Sequence, residues 1–149
     1  MINSQETRTV VITPPQGPVD NAAFVTATLD TLGAGYVDFI VVLGSIDAAL
    51  AALKVRESDA SDMTGAADVP GADFSVAPSA LPGATDDNKA YHIGLDMRGR
   101  KRYLDLVLTA GDGAAGTFAC VIAQLSRLAS SPRTAAQRGF AGELLVPTL

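Results

Sequence analysis

Two segments in the second half of the chain alternate strictly between apolar and other residues, and this alternation constrains the fold more than any other feature. In AYHIGLDM, residues 90–97, one side would carry Tyr91, Ile93, Leu95 and Met97. In RYLDLVLTA, residues 102–110, one side would carry Leu104, Leu106 and Leu108, opposite Tyr103, Asp105 and Val107. Successive side chains of a β-strand point to opposite faces, so both segments are predicted to be strands with one buried face.

Other strand signals surround these two segments, separated by Gly, Pro, Asp and Ser. They are TRTVVIT (7–13), AAFVTATLD (22–30, with Val25, Ala27 and Leu29 on one side), YVDFIVVLG (36–44), TFACVIAQLSR (117–127) and a last strand in GELLVP (142–147). Seven to nine strands broken by turns predict an all-β fold, an antiparallel β-sandwich or jelly roll.

The segment GSIDAALAALKVRESD, residues 44–59, fits two patterns. Ile46, Ala49, Leu50 and Leu53 have the spacing of a helix, whereas Ala51, Leu53 and Val55 alternate with Ala52, Lys54 and Arg56. Because a strand signal ends just before Gly44 and Ser45, we expect a hairpin whose return strand spans residues 49–58. Leu53 and Val55 would then point inward and Lys54 and Arg56 outward.

Residues 58–89 are rich in Gly, Pro, Asp and Ser and predict a long surface loop, with one short strand around Phe74–Ala77. Loops of this length are often functional. Near the other end, Ser131 and Pro132 suit the start of a helix and Gly139 suits its stop, which predicts one short helix near the C-terminus.

The proline-rich link PPQGP, residues 14–18, follows the first strand signal and is expected to hold it apart. We therefore predict an extended N-terminal arm over residues 1–20 and a single β-sandwich domain over residues 21–149. A lone strand gains by pairing with another molecule's sheet edge, although the same strand would also fit the domain's own sheet.

Composition argues against several classes of protein. The net charge of −5 and the pI near 4.6 disfavour nucleic acid as a partner. The start of the chain lacks the pattern of a signal peptide and no apolar run has the length of a membrane span, so we expect synthesis in the cytoplasm and no membrane partner. Aromatic residues are 5% of the chain, which counts against a sugar-binding role.

Residues that could carry chemistry are few. His92 is the sole histidine and lies in an alternating strand without a G-x-S-x-G serine motif, so it is expected to be structural. Cys120, the sole cysteine, is predicted to be a small buried core residue in the apolar run FACVIA. No residue is predicted to be catalytic, to bind a cofactor or to ligate a metal.

Three polar clusters are given structural interpretations. The loop acids Asp59, Asp62, Asp68, Asp73, Asp86 and Asp87 lack the calcium-loop pattern and are expected to be solvated. GDGAAG, residues 111–116, lacks the lysine and helix start of a phosphate loop and is expected to be a hairpin turn. In MRGRKRY, Arg98, Arg100, Lys101 and Arg102 are expected to pair with carboxylates of this chain or of a partner.

Several stretches together resemble small proteins encoded among the head genes of tailed bacteriophages and prophages, some of which are capsid decoration (cement) proteins. They are AFVTATLDTLGAGYVDFIVVLGSIDAALAALKVRESDASD, ADVPGADF, DMRGRKRYLDLVLTAGDG and SRLASSPRTAAQRGF, within roughly residues 20–140. The resemblance implies a β-rich accessory protein that coats an icosahedral shell, often as a trimer. It assigns no site residue.

These observations predict a non-enzymatic virion protein without cofactors. On the strength of this resemblance, we expect it to lie on the capsid exterior, to bind the major capsid protein, and to form a homo-oligomer, with a trimer as the expected form. The alternative is a carbohydrate- or receptor-binding β-sandwich module of a phage tail or fibre, with the 58–89 loop as its site. Such a module should present Tyr36, Tyr91 or Tyr103 on a concave patch, whereas a decoration protein should cover them.

Overall fold

The computed structural model describes residues 3–146 and shows eight β-strands. They are β1 (Arg8–Thr13), β2 (Leu29–Asp30), β3 (Tyr36–Leu43), β4 (Ala52–Ser58), β5 (Ala67–Asp73), β6 (Ala90–Asp96), β7 (Tyr103–Thr109) and β8 (Ala119–Ser126). Two four-stranded antiparallel sheets pack as a sandwich, which confirms the predicted fold class. Sheet A has the order β1-β8-β3-β6, and sheet B has the order β2-β7-β4-β5.

The strand order is that of a jelly roll. The pairs are β1 with β8, β2 with β7, β3 with β6 and β4 with β5, the pattern of one long hairpin whose turn is the β4–β5 connection. The hairpin is folded over so that the first and third pairs form sheet A and the second and fourth pairs form sheet B. The eight-stranded double sheet of this type recurs in viral capsid and lectin domains.

The core lies between the sheets and follows the predicted alternation. In β7 the three leucines Leu104, Leu106 and Leu108 are all at most 1% exposed, and in β6 both Ile93 and Leu95 are buried. The inward residues of β3 and β8 complete the other layer: Val37, Phe39, Val41, Val121, Ala123 and Leu125.

The 44–59 segment forms the predicted strand but not the predicted hairpin. β4 begins at Ala52, and Leu53 and Val55 are fully buried while Lys54 and Arg56 face outward. However, β3 belongs to sheet A and β4 to sheet B, so the chain between them crosses the sandwich. Ile46 and Leu50 are buried in this crossover, which explains their helix-like spacing.

The predicted helix near the C-terminus is wrong, because residues 3–146 contain no α-helix. Thr134 accepts a hydrogen bond from the Gln137 N–H while Gln137 Oε1 accepts one from the Thr134 N–H, which is a helix-starting capping box. The Phe140 N–H bonds to the Ala135 carbonyl and Gly139 has φ +87°, which is a helix-ending motif. The two signals are so close that only one turn fits between them.

The predicted arm over residues 1–20 is also wrong for β1, which is an edge strand of the domain's own sheet. Arg8 to Val11 pair with Leu125 to Ile122 of β8, and Ile12 and Thr13 are buried. After the proline-rich link, Val19 and Thr117 form an isolated bridge, so the link also runs along the domain.

Three other strand predictions need correction. Within 22–30 only Leu29–Asp30 is a strand. The Phe24 N–H bonds to Leu108 of sheet B and the Ala27 N–H bonds to Ile12 of sheet A, so this stretch bridges the two sheets and does not continue one strand. Phe24, and not Val25, is buried in it. The strand expected at Phe74–Ala77 lies earlier, at β5. GELLVP forms no strand as far as Val146, and Pro147 lies outside the described residues.

Candidate binding surface

The outer face of sheet A carries exposed apolar side chains on three neighbouring strands. Val11, Ile40 and Ile122 lie side by side in the register of β1, β8 and β3, and Val42 lies opposite Cys120. Val11 is 55% exposed and Val42 is 41% exposed. Phe118, 41% exposed, borders the same surface just before β8. We call this set the apolar face: Val11, Ile40, Val42, Phe118, Cys120 and Ile122.

One end of the apolar face opens into a shallow cavity of about 330 Å³. Pro15 of the proline-rich link, Gly44 and Phe118 line it together with Val42 and Cys120. Gly44 is needed here because a Cβ at this position would lie 3.0 Å from the Phe118 Cβ. The surface therefore offers a depression beside an exposed apolar sheet.

Cys120 lies on this face and not in the core, so the prediction of a buried residue is wrong. Its neighbours in β8, Ala119 and Val121, point inward, and the two-residue period sends Cys120 outward with Ile122. FACVIA is apolar throughout because both sides of β8 are apolar. A continuous apolar run thus concealed which side faces the core.

The outer face of sheet B has the opposite chemistry. Arg56 donates two hydrogen bonds to Asp105 directly across the β4–β7 register, and Lys54 bonds to Asp68 of β5 at 2.8 Å. Asp105 is only 9% exposed, so the guanidinium neutralises a nearly buried carboxylate. The charges of this face are satisfied within the chain.

The basic turn 98–102 confirms the expectation of carboxylate pairing, and all four partners belong to the chain itself. They are Asp96 for Arg98, Glu57 for Arg100, Asp59 for Lys101 and Asp30 for Arg102. The Arg102 guanidinium makes two 2.8 Å bonds to Asp30 and lowers the pKa of that carboxyl to about 2. Arg98 lowers the pKa of Asp96 to about 2 in the same way.

His92 points away from the core, as expected for a structural or surface residue. Its Nε2 lies 2.7 Å from Asp38 Oδ1 on β3, and its side chain is 61% exposed. Gly94 leaves room for this pair, since a Cβ there would lie 3.1 Å from both Asp38 and His92. Ser79 and His92 both line a cavity of about 200 Å³, yet no hydrogen bond joins them among the described residues.

The loop acids bind donors of the chain itself. Their partners are Lys101 for Asp59, the Thr64 N–H for Asp62, Lys54 for Asp68, Ser75 for Asp73, Lys89 and the Gly83 N–H for Asp86, and the Ile46 N–H for Asp87. The described residues contain no group of three or more His, Cys, Asp or Glu side chains placed to hold a metal ion.

The glycine-rich loop 111–116 is not a hairpin turn, because it connects β7 of sheet B to β8 of sheet A. Its backbone N–H groups at Ala114, Ala115 and Gly116 all point at Asp47 Oδ2. These bonds, that from Ala115 first, lower the pKa of Asp47. The loop therefore forms an anion-binding concavity of the kind that cradles phosphate, and the chain's own carboxylate fills it.

A cavity of about 710 Å³ lies between β1 and the segment 128–137. Arg8, Arg133, Ser130 and Gln137 contribute polar groups, and Leu128 is among its apolar lining residues. Arg8 donates to the Asp30 carbonyl, and its Nε is buried without a hydrogen-bond partner. The helix predicted over part of this region gave no sign of a cavity, since the lining residues come from three separate segments.

The three tyrosines do not gather on a concave patch. Arg127 stacks over Tyr36, Arg102 stacks over Tyr103, and Tyr91 meets the Phe74 ring edge-on at 5.6 Å. All three are half-buried under these neighbours. This arrangement lacks the open aromatic platform on which a sugar ring stacks.

Comparison with protein-family models gives no match for this chain, and comparison with curated proteins finds no significant relative. Within the part of the chain that the structure describes, no helix has the length and apolar character needed to cross a membrane. The function is therefore inferred from the jelly-roll topology and the chemistry of the surfaces above.

Proposed function

We propose that the chain is a non-enzymatic capsid decoration (cement) protein of a tailed bacteriophage, which binds the major capsid protein through the apolar face of sheet A. The observation that carries this proposal is the exposed apolar patch spanning β1, β8 and β3. Large contiguous apolar patches are rare on the surfaces of monomeric proteins, and where they occur they often mark interaction sites.

Three further features support the proposal. The jelly roll recurs in viral capsid domains, although a fold alone does not specify a function. The basic turn, a potential phosphate-binding group, is neutralised by the chain's own carboxylates, and the net charge is −5. The last two features disfavour direct contact with nucleic acid. As part of the same proposal, the protein acts on the capsid exterior after synthesis in the host cytoplasm, without a membrane partner, as a homo-oligomer that is expected to be a trimer.

The first test is composition of the particle. Mass spectrometry of purified virions should find the chain in stoichiometric ratio to the major capsid protein, and cryo-electron microscopy should place it outside the shell. Its absence from virions would contradict the proposal. Its presence only in the tail would instead favour the alternative function below.

The second test asks which face binds. Ile122→Asp places a charge on the apolar face, and Val107→Asp makes the same change on the outer face of sheet B, where Val107 is opposite Lys54. Ile122→Asp should weaken binding to heads that lack the protein by about tenfold or more, and Val107→Asp should not. Equal effects of the two substitutions would contradict the assignment of the face.

The alternative is a receptor- or carbohydrate-binding module of a phage tail or fibre. The 710 Å³ cavity favours it, because a concave site lined by Arg8, Arg133 and Ser130 suits an anionic ligand. The covered tyrosines count against a stacking sugar site. A glycan array would decide: saturable binding that Arg133→Ala abolishes supports the module, and no binding supports the decoration protein.

A further inference from the structure

The four sheet edges of the sandwich are protected very differently. β2 has only two residues, and β5 contains Pro70, a bulge and Gly71 at φ +82°. On β1, the Thr9 N–H donates to the Arg138 carbonyl at 2.9 Å. These are usual devices for blocking an edge against another strand. β6 is seven residues long, runs in unbroken register with β3, and has none of them.

The register shows which backbone groups of β6 are free. The Leu43 N–H bonds to the Lys89 carbonyl and the Met97 N–H bonds to the Gly35 carbonyl. Because antiparallel pairs alternate, the odd-numbered residues of β6 bond to β3 and the even-numbered ones point outward. No described residue bonds to the outward backbone groups, which belong to Ala90, His92, Gly94 and Asp96.

Two cavities lie side by side along this edge, between β6 and β5 of the opposite sheet. One, about 200 Å³, is bordered by His92 and Gly94, and the next, about 220 Å³, by Gly94 and Asp96. Ala72 and Ile93 contribute to both. Each exceeds the roughly 150 Å³ cavity that holds a benzene molecule. Their spacing of two residues along β6 matches the spacing of side chains on one face of an added strand.

The segment 143–146 has the matching features. Leu144 is 93% exposed and Val146 is 82% exposed, two residues apart, and the segment has no regular secondary structure. It belongs to GELLVP, whose residues favour a strand. A segment outside the strands, with two exposed aliphatic side chains, therefore lies on the same molecule as an open edge and two cavities.

The segment cannot reach its own β6. Glu143 is bound to Arg138, and the Arg138 carbonyl is bound to Thr9 of β1, at the opposite edge of sheet A. A strand added to β6 would lie four strand spacings from β1, about 19 Å, whereas Val146 is three residues from Glu143, a span of at most about 11 Å. This segment can therefore meet a β6 edge only on a second molecule.

We propose that residues 143–146 of one copy add as a strand to the β6 edge of a second copy, with Leu144 and Val146 in the two cavities between β5 and β6. Backbone bonds would supply affinity and the cavities would supply register, as in other strand-addition complexes. Such an interface is head-to-tail, so it closes into a ring or grows into a filament. A closed ring of three would give the trimer named in the proposed function, and the inference deepens that part of it.

The donor side is tested by Leu144→Ser combined with Val146→Ser. Both residues are exposed in the monomer, so folding should be unaffected. Sedimentation velocity of the isolated protein should show self-association of the wild type and at least about tenfold weaker association of the double variant. Val25→Ser, which removes another exposed valine, should associate like the wild type. A monomeric wild type at high micromolar concentration, or an unchanged double variant, would overturn the proposal.

The acceptor side is tested by His92→Pro. The His92 N–H points to the free edge, so proline removes a donor needed by an added strand and spares the bonds to β3. His92→Ala loses the same Asp38 contact but keeps the N–H, and serves as the matched control. Association should fall with proline and persist with alanine. Equal association of both variants would exclude the β6 edge.

Mixing the variants distinguishes strand addition from any symmetric contact. The Leu144→Ser/Val146→Ser chain keeps its acceptor edge, and the His92→Pro chain keeps its donor segment. At a concentration where the wild type just assembles, each variant alone should stay monomeric, and together they should form a 1:1 complex in native mass spectrometry. Failure to complement would overturn the proposal. Because these measurements use no capsids, they leave head binding to be judged separately.

Discussion

The outer faces of the two sheets are built from strands of similar length and the same alternation, yet they present opposite surfaces. Sheet A exposes Val11, Val42 and Ile122, whereas sheet B presents ion pairs such as Arg56–Asp105. The inner faces are alike, since both consist mainly of buried aliphatic side chains. The comparison indicates that burial between the sheets determines the fold. The chemistry of the outward-facing residues can therefore differ between the sheets, and it can serve binding.

The two outer faces also differ in whether their exposed groups already have interaction partners within the chain. On sheet B each cation named above contacts a carboxylate of the same chain, so little is gained by covering it further. On sheet A the exposed methyl groups have no polar partner to satisfy. Each square ångström that a partner covers there contributes about 25 cal/mol, which makes it the better docking surface.

The largest effect should come from the layer that both faces share. Leu106→Ala removes a side chain that is 1% exposed at the centre of β7 and should lower the free energy of unfolding by about 2–5 kcal/mol. Val107→Ala, the next residue but outward on sheet B, should change it by less than about 0.5 kcal/mol. Urea denaturation measures both. Similar losses at the two positions would mean that their faces are misassigned.

A smaller effect should distinguish the ion pairs of sheet B from one another. Arg56→Ala leaves the carboxylate of Asp105 nearly buried without its partner and should cost about 1–3 kcal/mol. Lys54→Ala breaks a pair whose Asp68 side chain is 53% exposed and should cost under about 1 kcal/mol. Thermal denaturation of the two variants provides the comparison. A larger loss for Lys54→Ala would contradict the role assigned to Asp105.

The smallest effect should appear in the pH dependence at the end of sheet B. Arg102 holds the pKa of Asp30 at about 2, below the ordinary value of 3.8. As the pH falls, Asp30 is therefore protonated at a higher pH in the unfolded chain than in the folded chain. The stabilisation that the Arg102–Asp30 pair gives to the folded state is fully present above about pH 4 and is lost as the pH falls towards 2. The melting temperatures of wild type and Asp30→Asn should differ at pH 6 and converge near pH 2. A constant difference across this range would contradict the linkage.

Alternation predicted the strands well because a half-buried strand has to alternate. β6 and β7 fall within the predicted segments, and their buried residues were identified. The partners of the strands were not predictable from local signals: β3 and β4 are adjacent in sequence but lie in opposite sheets. The jelly-roll arrangement depends on pairing between strands that are far apart in sequence, and the pattern within a short segment does not predict such pairing.

The candidate surface shows where pattern alone fails. Cys120 and Ile122 lie in a run that is apolar on both sides, so composition gave no indication that one side is solvent-exposed. The capping signals at Thr134 and Gly139 were real, yet they end a single turn. By contrast, the basic turn 98–102 was anticipated correctly, because four cations in an acidic chain have many carboxylates within reach.

The most direct test of the central claim uses the natural thiol on the apolar face. Cys120 is half-exposed, and its alkylation rate reports whether a partner covers sheet A. The control places a thiol on sheet B, as Val107→Cys combined with Cys120→Ser. On binding to phage heads, alkylation of Cys120 should slow by at least about tenfold and that of Val107→Cys should not, because water is excluded from the centre of an interface. Slowing of the Val107→Cys thiol with Cys120 still reactive would show that sheet B binds the shell, and would contradict the account.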